Sequence, residues 1–261
     1  LAIAALAVGF SLQNTSSSKA SAADTSGMPV PSAAAKKLIV GLDDDFPPLC
    51  FRDEHGNLVG HDIDMAREVA KRMNMKIEFE IIDWSAKETE LANRNIDAIW
   101  GGLTITEERK KNILFSSPYM QNHQIVIVDG ASPIQNKSDL KDKVVGLEDG
   151  STSIDALNSD KQLAQSMRGI KVFANNAVAM KELDIGRLDA VMVDEVVGRY
   201  YASKNPGKYR ILDDNFGGEE YGVGLRLQDT ALLADLEKAL ASMHADGTAK
   251  RIYAHWFEQH L

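Results

Sequence analysis

Residues 101–109 read GGLTITEER and follow directly on the apolar run Ile96-Asp97-Ala98-Ile99-Trp100. A strand that ends at Gly101-Gly102 and turns into a polar segment leaves backbone amides, the Thr104 hydroxyl and the Arg109 guanidinium at its carboxyl end. Open α/β sheets bind ligands at that end. The group types suit a small anion, a carboxylate above all, because a guanidinium grips a carboxylate through two parallel hydrogen bonds. The competing reading of Arg109 is a solvated face: TEERKK, in a helix beginning near Thr106, has the composition of one.

A second set of this kind stands about fifty positions on, at Gly150-Ser151-Thr152-Ser153. It follows an expected strand at 144–147 and precedes a helical apolar period at Ile154 and Leu157. Two such loops on two sub-sheets could face each other across a cleft, where ligand sites are common. Phe46 and Trp84 each sit where a strand gives way to a loop; they are either core aromatics or faces on which a flat or cationic ligand group can stack. Asp194 is delivered to a strand end by the apolar run Ala190-Val191-Met192-Val193. It suits an N-cap of the helix through Val197 and Tyr200, or a site carboxylate, or both.

No set of groups with catalytic spacing appears. The six histidines are scattered without metal-ligand spacing, the lone Cys50 stands in no nucleophile motif, and no nucleophile-elbow or phosphate-loop motif occurs. An arginine-containing, carboxylate-rich cleft without a nucleophile indicates binding, with no cofactor and no metal.

The elements that must position these groups follow an α/β alternation from Lys37 onward. Strands are expected at 38–41, 77–82, 97–100, 123–128, 144–147, 172–173, 190–193, 209–212 and 221–225. One helix starts after Gly60, with Ile63, Ala66, Ala70 and Met73 on one face and Asp62 capping or charge-stabilising its amino end. Another is marked by Val178, Leu183 and Ile185, and a third runs over 230–243. No repeat of solenoid length is visible.

The chain has 261 residues, 44% of them hydrophobic and 26% charged, with a formal charge of −9. That is globular composition, and the acidic balance disfavours a nucleic-acid partner. The opening LAIAALAVGFSL is apolar but too short to span a bilayer, and Ala20-Ser21-Ala22 reads as a signal-peptidase site. Residues 1–22 are therefore expected to be part of a secretory signal and 23–35 a flexible leader. A single cysteine cannot form an internal disulfide, so export rests on the signal alone.

Six motifs in order carry a resemblance: VGLDDDFPPLCF (40–51), GNLVGHDIDMAREVAKRM (56–73), NIDAIWGGLTITEERKKNILFSSPYM (95–120), KVVGLEDGST (143–152), GRLDAVMVDE (186–195) and ADGTAKRIYAHWF (245–257). With them the chain, from about Lys37 to its end, resembles the extracytoplasmic polar amino-acid-binding proteins of ABC importers, solute-binding family 3. The resemblance implies the α/β two-lobed periplasmic-binding-protein fold of type II, closing by a hinge, with lobe 1 at 36–121 plus 222–261 and lobe 2, with hinge strands, at 122–221. It implies a monomer outside the cytoplasmic membrane that hands an L-amino acid to a membrane permease. By position, Phe46 and Trp84 match the aromatic pair that sandwiches the ligand, and Arg109 the clamp on the α-carboxylate. Gly102 and Thr104 match a backbone carbonyl and a hydroxyl, Asp194 the holder of the α-ammonium, and Ser151 and Thr152 the lobe 2 loop whose amides reach the carboxylate.

The resemblance has two departures. His61 replaces an aromatic or aliphatic residue and is expected to alter packing rather than binding. Glu148 and Asp149 stand where glutamine-binding relatives tend to carry a lysine and a small residue. Asp43, Asp44, Asp45, Asp62, Glu88, Glu148 and Asp149 could converge on the distal end of a ligand, which favours arginine or lysine over glutamine and rejects acidic ligands. The competing functions are an enzyme on the same fold, such as a secreted cyclohexadienyl-type dehydratase, and a sensory module.

Overall fold

The computed structural model describes residues 36–258, so the expected signal and leader lie outside the described residues. Two five-stranded sheets take up the β-branched runs. The first holds, in spatial order, Lys76–Ile81, Lys37–Leu42, Ala98–Ile99, Gly224–Arg226 and Ile113–Phe115. The second holds Gly169–Phe173, Val144–Glu148, Ala190–Asp194, Met120–Asp129 and Tyr209–Tyr221. In each, the first three strands are parallel and the last two antiparallel to their neighbours. Ala190–Asp194 is buried along its whole length, which is why it reads as a continuous apolar run.

The chain passes between the sheets twice, after Phe115 and after Tyr221. At those passages Met120 lies opposite Tyr221, and an isolated bridge pairs Tyr221 with Thr104. The Ile105 amide donates to the Glu220 carbonyl at 2.8 Å and the Gly222 amide to the Leu103 carbonyl at 3.0 Å. The GGLT segment is thus laced to the crossing strands. Among the described residues, no helix is long and apolar enough to cross a membrane.

Several expectations need correction. The strand expected over 221–225 is two strands in different sheets, separated at Gly222-Val223. The strand expected at 209–212 runs on to Tyr221 through the polar DDNFGGEE, where two register shifts and solvent exposure remove any alternation. The helix near Thr106 is one 3-10 turn, Arg109–Lys111, because Ile113 must already enter the edge strand Ile113–Phe115. Of the two roles expected for Asp62, capping is not seen, since Gly60 is the N-cap of the helix His61–Arg72, but Asp62 does stand in the first turn, where a carboxylate is charge-stabilising. The helix Asn176–Asp184 buries Ala179, Met180 and Leu183, while Val178 and Ile185 are exposed, so its buried face is not the one the three marker residues outlined. A three-stranded meander, Asp45–Phe46, Cys50–Arg52 and Leu58–Val59, was not expected.

Candidate ligand site

The GGLT turn is held from beneath by Asp62. Its Oδ2 accepts from the Gly102 amide at 3.1 Å and from the Tyr119 hydroxyl at 2.6 Å, and its Oδ1 lies 2.8 Å from Nδ1 of the buried His61. His61 packs against the rings of Tyr119, Tyr253 and Phe257, a packing role as expected from its sequence position. Gly102 has φ +68°, and a Cβ there would come within 2.6 Å of the Phe46 ring. Phe46 and Trp84 are both buried, at 5% and 6% exposure.

Arg109 anchors its own loop and reaches the facing one. Nη1 donates to the Thr104 carbonyl at 2.8 Å and Nη2 to the Gly150 carbonyl at 3.0 Å. No carboxylate among the described residues comes within ion-pair distance of it, and burial lowers its pKa. Beside it stands Lys87, from the helix Lys87–Ala92, 3% exposed. Its Nζ donates to the carbonyls of Trp84 and Gly150, both at 2.9 Å, and lies 4.8 Å from the Trp84 ring centroid. Burial, and then the charge of Arg109, push its pKa down to about 8.

Across the cleft, Ser151 is the N-cap residue of the helix Thr152–Ser159, but its hydroxyl donates to the Glu148 carbonyl at 2.8 Å and caps no amide. The Thr152 hydroxyl lies 3.3 Å from that of Thr104 and donates to Glu219 Oε2 at 2.7 Å. Asp194 stands at the N-cap of the helix Glu195–Lys204 without capping it. Its Oδ1 instead accepts from Asn122 at 2.7 Å, Gln124 at 2.9 Å and the Tyr221 hydroxyl at 2.5 Å. Glu219 Oε1 takes the same two amides, at 2.6 and 2.8 Å. Burial, and then the charge of Glu219, raise the Asp194 pKa well above the ordinary carboxylate range.

Of the seven carboxylates expected to converge, two do. Asp43 (9% exposed) and Glu148 (2%) are buried, the charge of Asp43 acts on Glu148, and each carboxyl keeps one oxygen that no donor reaches. The others are drawn off: Asp44 pairs with Arg52, Asp45 accepts from Asn175 Nδ2 at 2.8 Å, Asp62 holds the GGLT turn and Asp149 is exposed. Glu88 lines a hollow with Ala92, Asn112 and Leu227, and its charge acts on Arg109 and Lys87. Oxygens of Asp43, Asp44 and Asp45 lie within 4.8 Å of one another, close enough for a cation, but Arg52, Asn175 and the Asp45 amide already engage them.

The sequence reading missed Lys87, Asn122, Gln124 and Glu219. Lys87 carries a signal, the i,i+3 spacing from Trp84 that lets its stem fold back over the ring. The other three sit on the two crossing strands, and nothing local marks them.

These features set a cationic pole at Arg109 and Lys87 against an anionic pole at Asp194 and Glu219, with a second acidic pair at Asp43 and Glu148. Residues 38–259 match the bacterial extracellular solute-binding proteins, family 3. The chain belongs to that family. It is 34% identical over 236 residues to the lysine/arginine/ornithine-binding periplasmic protein of Escherichia coli K12, covering 87% of this chain and 89% of that one. The identity to the L-cystine-binding protein TcyJ of the same strain is 30% over 224 residues, covering 84% and 82%. These relatives are binding proteins, not enzymes. An ancestral arginine-binding protein bound to glutamine superposes with a TM-score of 0.80 at 40% identity, covering 86% of this chain and 99% of that one. The ancestral amino acid-binding protein AncCDT-1, a precursor of cyclohexadienyl dehydratase, gives 0.77 at 35%, covering 85% and 95%. The fold is the two-lobed α/β fold of these periplasmic amino-acid-binding proteins.

Proposed function

We propose that the protein is an extracytoplasmic receptor for an L-amino acid with a basic side chain, arginine or lysine, which it delivers to an ABC importer permease. The lobes are taken as 36–121 plus 222–261 and 122–221, closing on the ligand about the two crossings, and the receptor works as a monomer. Arg109 holds the α-carboxylate, with the amides at the start of Thr152–Ser159 opposite. Asp194, joined by Glu219, receives the α-ammonium. Phe46 and Trp84 flank the side chain, and Asp43 with Glu148 meets its distal end.

The observation that carries the choice of ligand is the distal pair: two buried carboxyls, each with one oxygen that no donor reaches. A cationic side chain supplies the missing donors, whereas an acidic one meets repulsion. Lys87 does not cancel the pair, because its ammonium is spent on two carbonyls and the Trp84 ring. Competition binding across the twenty amino acids tests the reading. Arginine and lysine should bind ahead of glutamine, with aspartate and glutamate rejected; glutamine or glutamate binding more tightly would sink it. Aromatic product from prephenate or arogenate would replace the receptor by an enzyme.

A further inference from the structure

We infer that Asp45 and Asn175 form a clasp between the two sides of the cleft, which holds the receptor shut on whatever amino acid it has taken without touching the ligand itself. The inference rests on the reading of the chain as an amino-acid receptor that closes about the two crossings. To that reading it adds the residues that set how long the ligand is kept.

The hairpin after the first strand pairs Asp45–Phe46 with Cys50–Arg52, and in its register Asp45 lies opposite Phe51 and Phe46 opposite Cys50. Opposed residues put their side chains on one face of a ribbon, and consecutive residues on opposite faces. The two faces have different neighbours. Phe46 and Cys50 are buried toward the GGLT turn, where a Cβ at Gly102 would meet the Phe46 ring and one at Gly101 the Cys50 sulfur. Asp45 and Phe51 are half-buried and reach elements of the second sheet's side. Asp45 Oδ2 accepts from Asn175 Nδ2 at 2.8 Å, and beside this bond the rings of Phe51 and Tyr200 stand 5.5 Å apart, centroid to centroid. Asn175 follows the strand Gly169–Phe173, and Tyr200 belongs to the helix Glu195–Lys204.

Asn175 is preset for this contact. It is the N-cap residue of the helix Asn176–Asp184, and its Oδ1 accepts from the Val178 amide at 2.9 Å. That bond decides which end of the side-chain amide is the donor, so Nδ2 is left for Asp45. Arg52 of the same hairpin pairs with Asp44, which leaves Asp45 to Asn175. The next residue, Asn176, donates to Glu148 Oε2 at 3.0 Å, so one helix start both clasps the hairpin and orients the distal carboxyl. Contacts that only the closed form makes shift the balance of open and closed by their own free energy, whatever the ligand. They form after capture and so act on release rather than on arrival.

Stopped-flow binding of arginine and of glutamine tests the clasp. Asn175→Asp keeps an oxygen for the Val178 amide, and with it the helix cap, but faces Asp45 with a second carboxylate. Its dissociation rate should rise about tenfold for both amino acids alike, with association changed by less than about twofold. Asp45→Asn retains an acceptor for Asn175 and should stay close to wild type. The double variant Asp45→Asn, Asn175→Asp exchanges donor and acceptor across the cleft and should restore slow release. Should Asn175→Asp fail to fold, Asp45→Ala removes the same bond from the hairpin side and should quicken release of both amino acids. Unchanged release in these single variants, or no rescue by the exchange, overturns the clasp. A loss confined to one of the two amino acids overturns it as well, because Asn175 would then read the ligand. If arginine and lysine do not bind, the choice of a basic ligand falls, while the clasp is still decided on the amino acid that does.

Discussion

Arg109 and Lys87 donate to one atom. The carbonyl oxygen of Gly150 accepts Nη2 of the first at 3.0 Å and Nζ of the second at 2.9 Å. Both cations belong to the first-sheet side of the cleft and Gly150 to the second, so one backbone carbonyl ties the two sides together. The arrangement also concentrates positive charge where the α-carboxylate is proposed to sit, which is the electrostatic basis for the predictions below.

Removing the guanidinium should be costly. Arg109→Ala is expected to weaken amino-acid binding by about 2 to 5 kcal/mol, because the ligand carboxylate stays buried without its partner. Arg109→Lys should be nearly as damaging: an ammonium cannot reproduce the fork that spans the Thr104 and Gly150 carbonyls. Titration calorimetry decides it, and an unchanged dissociation constant removes Arg109 from the site.

Lys87 gives a pH signature at the alkaline end. Its pKa falls from 10.5 to about 8 on folding, so between those values the unfolded chain carries a proton that the folded protein has lost. Stability rises with pH wherever the unfolded state binds more protons. The ammonium therefore costs stability in full below about pH 8, and the cost fades as pH climbs through that value toward 10.5. Against Lys87→Met, which has no such proton, the wild type should gain about 3 kcal/mol across the window. Denaturant melts of both proteins at paired pH values measure it; a constant difference would mean that Lys87 is not desolvated.

Asp194 should show function set against stability. Its carboxylate is raised by burial and by Glu219. A raised acid contributes stability below the ordinary carboxylate range and loses it as pH rises through the folded value, so at neutral pH the ionised form is a burden. Asp194→Asn keeps an oxygen for the amides of Asn122 and Gln124 and sheds the charge. The ligand-free variant should be more stable by about 1 to 3 kcal/mol, with amino-acid binding weakened at least tenfold. Thermal melts without ligand, paired with binding isotherms, check both halves.

How much of this was legible in the sequence depends on the range of the interaction. Arg109, Thr104 and Gly102 lie on one short loop, and Asp194 ends an apolar run, so local pattern singled them out as candidates. The inner parallel strands Lys37–Leu42, Val144–Glu148 and Ala190–Asp194 were legible because burial makes them mostly apolar. The start of the strand Tyr209–Tyr221 was expected at 209–212, but its continuation escaped because that length is polar and irregularly paired, and Glu219 went with it. Lys87 was missed because its one local signal, the i,i+3 spacing from Trp84, says nothing of the burial that sets it apart from a solvated lysine. The acidic side-chain argument counted seven carboxylates where two, Asp43 and Glu148, keep a buried oxygen without a partner, since only the tertiary structure reveals that Arg52, Asn175 and Tyr119 draw off their neighbours.

Gly150 offers the sharpest separation of binding from folding. Its φ of +69° is one that a side chain rarely adopts, and a Cβ there would approach the Cα of Ser85 to 2.8 Å, too close for a contact with backbone. Ser85 lies on the opposite side of the cleft, so relief requires the two sides to move apart, which stretches the bonds from Arg109 and Lys87 to the Gly150 carbonyl. The left-handed conformation by itself costs an alanine about 1 to 2 kcal/mol, enough to lower the melting temperature modestly. Gly150→Ala should therefore fold, while its affinity for amino acid falls more than tenfold and small-angle scattering in saturating ligand reports a wider particle than wild type. Wild-type affinity in this variant would mean that the contact between Gly150 and Ser85 is not required for the bound form.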